Sequence, residues 1–254
     1  MKNFTYYAPT RVMFGKGTEE ELGKIVSGYG FHKVLIHFGG GSVKRSGLLE
    51  RLEKSLAAAG VEYVEFGGVQ PNPKLSLVRE AIQVCVQEQA DLVLAVGGGS
   101  VIDSAKCVAA GAAEPSVDPW EYLSRVKTVD KSLPVGVVLT IAASGSEMSS
   151  SCVITKEDGG LKRSFNSDLS RPLFAIMNPE LTYSVSKFQT GCGTVDIMMH
   201  TLERYFGTDG EAPLTDRLAE GLLKEVIEAG RIADREPDNY EARAALMWAG
   251  SLSH

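Results

Sequence analysis

The sequence predicts an α/β fold: a parallel-sheet domain over residues 1–180, followed by an all-helical domain over 181–254. Three observations lead there. Through the first 180 residues, short apolar runs of strand length alternate with helical periodicity, as in a parallel sheet built with right-handed crossovers. Two of those runs, Lys33–Phe38 and Asp91–Val96, lead directly into Gly-Gly-Gly-Ser and then into a helix. From Ser184 onward strand-like runs all but vanish, and only helical periodicity remains.

The elements follow in chain order. Residues 1–15 hold Tyr6, Tyr7, Pro9, Val12 and Phe14, a pattern suited to a short hairpin or an edge strand. Gly17 to Gly28 reads as a helix with Thr18 as its N-cap and Glu19–Glu21 in the first turn, where carboxylates complement the dipole. A strand over 33–38, a helix from about Val43 to Ala59, a strand over Val61–Phe66 and a helix over Leu75–Gln89 come next. The strand 91–96 and a helix over Val101–Gly111 close the first half, and Pro134–Thr140 and Leu173–Met177 are further buried strands. Composition changes after Asn178 and Pro179, which puts the domain boundary near 178–184. Beyond it, Thr190–Tyr205, Leu214–Ile232 and Tyr240–Ser253 are amphipathic helices.

Bulk properties exclude several classes. A net charge of −6 argues against nucleic acid, which calls for a basic patch. No segment approaches the roughly 18 uninterrupted apolar residues of a membrane helix, and the start at Met1 lacks the apolar core of a signal peptide. Cys85, Cys107, Cys152 and Cys192 are scattered without a Cys-x-x-Cys pair, which fits free thiols in a reducing cytoplasm.

The two glycine turns carry the functional signal. A strand that ends in glycines and opens a helix aims bare backbone N–H groups, and the positive end of the helix dipole, at whatever sits there. Phosphate is the natural guest. The alternative is that the glycines serve the turn alone. The first turn offers Gly40 and Ser42, the second Gly97, Gly98, Gly99 and Ser100. The second is neither a Gly-x-Gly-x-x-Gly fingerprint, since Ile102 stands where the third glycine belongs, nor a P-loop. Asp103 either complements the helix dipole or bonds a ribose or nicotinamide group. After the first strand no acid occurs before Glu50, whereas Ser42, Lys44 and Arg45 are at hand. An acid there normally bonds the adenosine 2′-hydroxyl, so its absence favours NADP(H) over NAD(H).

Two further segments carry chemistry. Thr140 and the hydroxyl-rich run from Ser144 to Ser150 read either as an ordinary serine-rich loop or as Thr140, Ser144 and Ser146 bonding a nicotinamide amide and phosphate oxygens. Lys162 is a cation for that site or a plain surface lysine. Asp196 and His200, four apart on a helix, share one face. They are an ion pair, or two ligands for Fe²⁺ or Zn²⁺ in a site that needs three or four.

In their joint order these pieces resemble the iron-containing (group III) alcohol dehydrogenases. The matching residues are Pro9 to Gly15, Gly97 to Lys106, Thr140 to Glu147, and the Asp196/His200 pair. Phe38 to Lys44, Gly67 to Pro73 and Met247 to His254 resemble the butanol dehydrogenase and NADPH-dependent aldehyde reductase branch in particular. The resemblance runs over the whole chain. It implies a Rossmann-like, parallel-sheet dinucleotide-binding domain over 1–180 ahead of a helical metal-binding domain over 181–254. It implies hydride transfer between NAD(P)H and an aldehyde or primary alcohol such as butanal or butanol, assembly as a homodimer, and pyrophosphate on the Gly97–Ser100 turn. It further implies that Asn72, Thr140, the Ser144–Ser146 loop and Lys162 line the cofactor site, and that Asp196 and His200 ligate Fe²⁺ or Zn²⁺. The family holds its metal with one Asp and three His, the last two further along the helical domain. Here His32 and His37 lie in the first domain and His254 falls where the family has no ligand. The resemblance therefore implies a helical domain that is incomplete, with two of four ligands and no assignable general acid. Two other readings stand beside it: a catalytically incomplete dinucleotide-binding fragment, and a glycerol dehydrogenase-like sister enzyme.

Overall fold

The computed structural model describes residues 3–207 and 212–254. Among these residues, six strands form one parallel sheet: β1 (Arg11–Phe14), β2 (Lys33–Phe38), β3 (Glu62–Phe66), β4 (Leu92–Gly97), β5 (Val135–Leu139) and β8 (Phe174–Met177), in the order β1-β8-β5-β4-β2-β3. Between β5 and β8 the chain adds an antiparallel hairpin, β6 (Ser151–Lys156) and β7 (Leu161–Asn166). Helices α1 (Leu22–Gly28), α2 (Ser42–Arg45), α3 (Leu48–Ala58), α4 (Leu75–Gln87), α5 (Gly99–Ala113) and α6 (Pro119–Leu123) connect the strands. Helices α7 (Lys187–Tyr205), α8 (Pro213–Arg235) and α9 (Tyr240–Ser253) follow the sheet. No helix among the described residues is long and apolar enough to cross a membrane.

The apolar runs are continuous because the central strands are covered on both faces. Alternate residues feed different cores. Val34, Ile36, Leu92, Leu94 and Val96 pack with α1 and α3, whereas Leu35, Val93 and Ala95 pack with α4 and α5. The chain leaves β2 outward to β3, returns to β4 on the other side of β2, and then continues to β5. The order therefore reverses between β2 and β4. Ligands of such sheets bind outside the carboxyl ends of the strands at this switch point, and both Gly-Gly-Gly-Ser turns stand there.

Several expected elements take a different form. The hairpin or edge strand over 1–15 begins outside the described residues at Met1 and Lys2; β1 is an edge strand parallel to β8, and Tyr6 and Tyr7 are exposed. Thr18 does not cap a helix: its Oγ1 donates to the Gly15 carbonyl at 2.9 Å, and Thr18–Glu21 form a 3₁₀ turn ahead of α1. The helix expected from Val43 to Ala59 is broken into α2 and α3 by Gly47, whose φ of 71° leaves the helical region. The β6–β7 hairpin and α6 were not anticipated. β7 is mostly exposed and lacks an apolar run; its signal is the Gly159-Gly160 turn, where both glycines have positive φ. Cys85, Cys107 and Cys152 are buried free thiols and Cys192 is an exposed one.

One buried polar link joins the two sides of the switch point. His37 on β2 is fully buried; Nδ1 lies 2.9 Å from the Phe66 carbonyl and Nε2 lies 2.8 Å from Ser104 Oγ on α5. A neutral ring satisfies both by donating from Nδ1 and accepting at Nε2. Burial pushes the imidazole down to about 4 from an ordinary 6.5. The unfolded chain therefore takes up this proton first as pH falls. The contribution of His37 is complete above pH 6.5 and is lost between 6.5 and 4, up to about 3 kcal/mol. Urea unfolding of the native chain and His37→Gln across that window checks this; parallel pH slopes for the two proteins would refute it.

Candidate functional site

The second glycine turn is shaped by close approach rather than by positive φ. A Cβ on Gly98 would lie 2.2 Å from Ile141 Cγ2, and one on Gly99 would lie 2.3 Å from Ser144 Oγ. The Thr140 N–H donates to the Gly97 carbonyl at 3.1 Å, which seats the exit of β5 against that of β4. No side chain caps α5, a helix of 15 residues, and its first turn carries no acid. Its N-terminal face thus keeps the character of an anion site.

Asp103 lies in the second turn of α5, not the first, and does not sit at the dipole. One carboxylate oxygen accepts from Ser146 Oγ at 2.7 Å and the other from the Val153 N–H at 3.0 Å. Burial pushes its carboxyl up while neighbouring Lys106 pulls it down. Ser146 thereby commits its hydroxyl hydrogen to Asp103 and accepts from Lys106 Nζ at 3.0 Å. Toward a ligand it can only accept, which suits an amide N–H and not a phosphate oxygen.

A cleft of about 600 Å³ opens over this turn. It gathers Gly98, Gly99, Ser100, Asp103, Ser144 and Ser146 from the sheet side. Asn72 and Lys162 form one wall, joined by a 2.8 Å bond from Lys162 Nζ to Asn72 Oδ1. Asp196 and His200 reach it from α7. An adjoining cleft of about 540 Å³ shares Gly98 and holds Ser42, Gly97 and Thr140. Gly40 lines neither. A larger cleft, about 840 Å³ between β1, α8 and α9, contains none of these residues.

The first glycine turn is weaker than its sequence. Gly41, with φ 99°, opens a helix of four residues, too short to concentrate a dipole. The carboxylate that was absent from the local sequence arrives from β3, which pairs with β2: Glu65 forms an ion pair with Lys44 at 2.8 Å. Lys44 holds the Glu65 carboxyl below its ordinary value.

Asp196 Oδ1 and His200 Nε2 stand 3.7 Å apart on one face of α7. That spacing suits two adjacent ligands of one metal ion. The His254 ring packs edge-on to His200 with centroids 5.4 Å apart, and burial pushes its imidazole down to about 4. Among the described residues no group of three His, Cys, Asp or Glu is placed to hold a metal. The pair therefore fits two coordination positions, short of a closed site.

Two buried charged groups escaped the sequence reading. Lys106 on α5 is fully buried, and Glu147 accepts from Ser251 Oγ of α9 at 2.5 Å. Burial pushes the Glu147 carboxyl up. Lys106 has a signal in the sequence, a charge inside an otherwise apolar segment, which a core tolerates only when every polar atom is paired; Glu147, in a hydroxyl-rich run, has none.

The family model for iron-containing alcohol dehydrogenases matches residues 9–179, and that for the family's C-terminal region matches 190–253. The chain belongs to the iron-containing alcohol dehydrogenase family. Within it, the NADH-dependent butanol dehydrogenase A of Clostridium acetobutylicum is 42% identical over 253 residues, covering 100% of this chain and 64% of that relative. The NADPH-dependent aldehyde reductase YqhD of Escherichia coli is 40% identical, covering 99% and 64%. The crystal structure of NADH-dependent butanol dehydrogenase A from Thermotoga maritima superposes with a TM-score of 0.97 at 40% identity, covering 100% of this chain and 63% of that one. The chain thus spans slightly less than two thirds of the length of these alcohol dehydrogenases.

Proposed function

We propose that the cleft binds NAD(P)H and belongs to an alcohol dehydrogenase or aldehyde reductase acting on a primary alcohol or aldehyde such as butanol or butanal. One observation carries the reading: the glycine turn, the Asn72–Lys162 wall and the Asp196/His200 pair converge on one cleft at the switch point of a parallel sheet. The family membership and the names of the relatives support it. In this reading the chain divides near residue 180 into a dinucleotide-binding part and a metal-binding part. A bound nicotinamide coenzyme supplies the hydride, and the protein supplies orientation. The open N–H groups at Gly99 and Ser100 take the pyrophosphate. Thr140 and Ser144 bond the coenzyme from the β5 exit, Ser146 accepts from the carboxamide, and Lys162 lends positive charge. Asp196 and His200 are two donors for Fe²⁺ or Zn²⁺, which when bound would supply Lewis-acid polarisation of the substrate oxygen.

We further propose a modest preference for NADP(H), carried by Ser42 and Arg45. The Glu65–Lys44 pair limits it by neutralising one of the two cations, and the relatives are divided between NADH and NADPH in their names. Fluorescence titration with both coenzymes should give a dissociation constant for NADPH below that for NADH by less than about tenfold; tighter binding of NADH would overturn the preference.

A second reading, a dinucleotide-binding fragment without turnover, is favoured by the absence of a third metal donor among the described residues. Calorimetric titration with Zn²⁺ bears on both. Asp196→Ala and His200→Ala should each weaken binding at least about tenfold. Metal binding unchanged in both variants would remove the pair from the metal site. NADPH oxidation with butanal, dependent on added metal, separates the enzyme from the fragment.

A further inference from the structure

We infer that Lys106 is the positioning residue of the coenzyme site, holding the loop 144–151 from beneath against the glycine turn of its own helix. The inference rests on the dinucleotide reading above. Lys106 Nζ donates to the Ser146 carbonyl at 2.7 Å, Ser146 Oγ at 3.0 Å, the Ser149 carbonyl at 2.9 Å and the Ser151 carbonyl at 2.8 Å. An ammonium has three hydrogens, so these four oxygens share them and no donor is left over.

A core position on α5 gains nothing from this charge. Its neighbours Ala105, Cys107, Val108 and Ala109 are fully buried, and an apolar side chain of similar volume would pack there without desolvating a cation. What a lysine adds is a grip on three backbone carbonyls, those of Ser146 and Ser149 in a segment with no helix or strand to pair them and that of Ser151 where β6 begins. Asp103, one turn earlier, grips the same segment through Ser146 Oγ and the Val153 N–H. The helix that begins at Gly99 thus carries both the anion-facing turn and the two side chains that set the opposite wall. Lys106 touches no ligand; it acts through Ser146 and the loop that carries it.

The surroundings of Nζ set its proton. Asp103 on α5, Cys152 on β6 and Glu147 in the loop favour the cation, while Arg171 beyond β7 opposes it and the buried His254 imidazole at the end of α9, pushed down to about 4, is neutral there. Lys162 on β7 acts on Asp103. Burial outweighs these, and the amine is pushed down to about 8. Below that pH the loop is held by a cation with three hydrogens, above it by a neutral amine with two. Coenzyme affinity is therefore highest below pH 8 and declines above it.

The test is fluorescence titration of the full 254-residue chain with NADPH from pH 7 to 9.5, for the native sequence, Lys106→Met and Lys106→Arg, with melting temperatures in parallel. The native dissociation constant should rise about tenfold across the range as the amine loses its proton. Lys106→Met should bind roughly thirtyfold more weakly at pH 7, with a flat profile, because the loop carbonyls lose their donor. Lys106→Arg, charged throughout, should also show a flat profile. Lys106→Met binding within threefold of native at pH 7, whatever its melting temperature, overturns the inference. If neither variant folds, the native profile decides, and a flat one overturns it. No NADPH binding by the native chain at any pH would instead overturn the dinucleotide reading, and this inference with it.

Discussion

A Gly98→Val chain is expected to fold and to bind NADPH at least about 100-fold more weakly than the native sequence, a loss of roughly 2.7 kcal/mol. The backbone does not object: φ of −97° with ψ of −170° is open to any residue. The obstacle is space, since even a Cβ there would stand 2.2 Å from Ile141 Cγ2. Ile141 must move, and it follows Thr140, whose N–H is bonded to the Gly97 carbonyl. Gly98 and Ile141 line both clefts, so the same displacement distorts the junction through which one extended ligand would run. Fluorescence titration beside a thermal melt is the check. A melting temperature near native with unchanged affinity would mean that the turn does not carry the pyrophosphate.

The second large effect is on stability and lies away from the cleft. Gly23→Ala should cost about 3 kcal/mol, because overpacking against backbone cannot be relieved by a rotamer change. A Cβ at Gly23 would stand 2.0 Å from the Ser55 carbonyl oxygen and 2.7 Å from its carbon. Helices α1 and α3 meet there, and Ser55 Oγ of α3 accepts from the Gly23 N–H of α1 at 3.0 Å and donates to the Glu20 carbonyl of the preceding 3₁₀ turn at 2.7 Å. In a chain of this size the melting temperature should fall by roughly 10 °C. NADPH affinity of the folded protein should hold, because α1 and α3 lie on the opposite face of the sheet from α5. A shift smaller than 2 °C would show that the two helices can part at little cost.

How far these features were legible in the chain follows from the range of the interactions involved. The central strands were legible because burial on both faces leaves an unbroken apolar run, and the long helices because their periodicity is intrinsic to one segment. Gly47 was legible in principle as a break, yet Leu48 to Leu56 continued the helical pattern and hid it. The β6–β7 hairpin was not, since its outer strand is mostly exposed and its only local mark is a pair of glycines. Within the site, the residues that stand on the turn itself were within reach. The pairings were not. Glu65 meets Lys44 only through the register of β3 on β2, and Asp103 is occupied by Ser146 and Val153 from more than 40 residues away. Local sequence names a group that can bond a ligand; distant sequence decides whether its lone pairs are still free.

The bond from Ser251 to Glu147 ties the helices to the loop above α5. Glu147 belongs to the loop that Lys106 grips from α5, while Ser251 belongs to α9, so one short segment is pinned between the sheet and the helices. Asp196 and His200 ride on α7, which packs against α9. For the helices to swing away from the sheet, the loop must either follow them and abandon Lys106 or stay and release Ser251. Either route exposes a buried charge before the cleft widens. If the cleft binds a nucleotide as proposed, Ser251→Ala is expected to speed its release, which stopped-flow displacement of NADPH would measure.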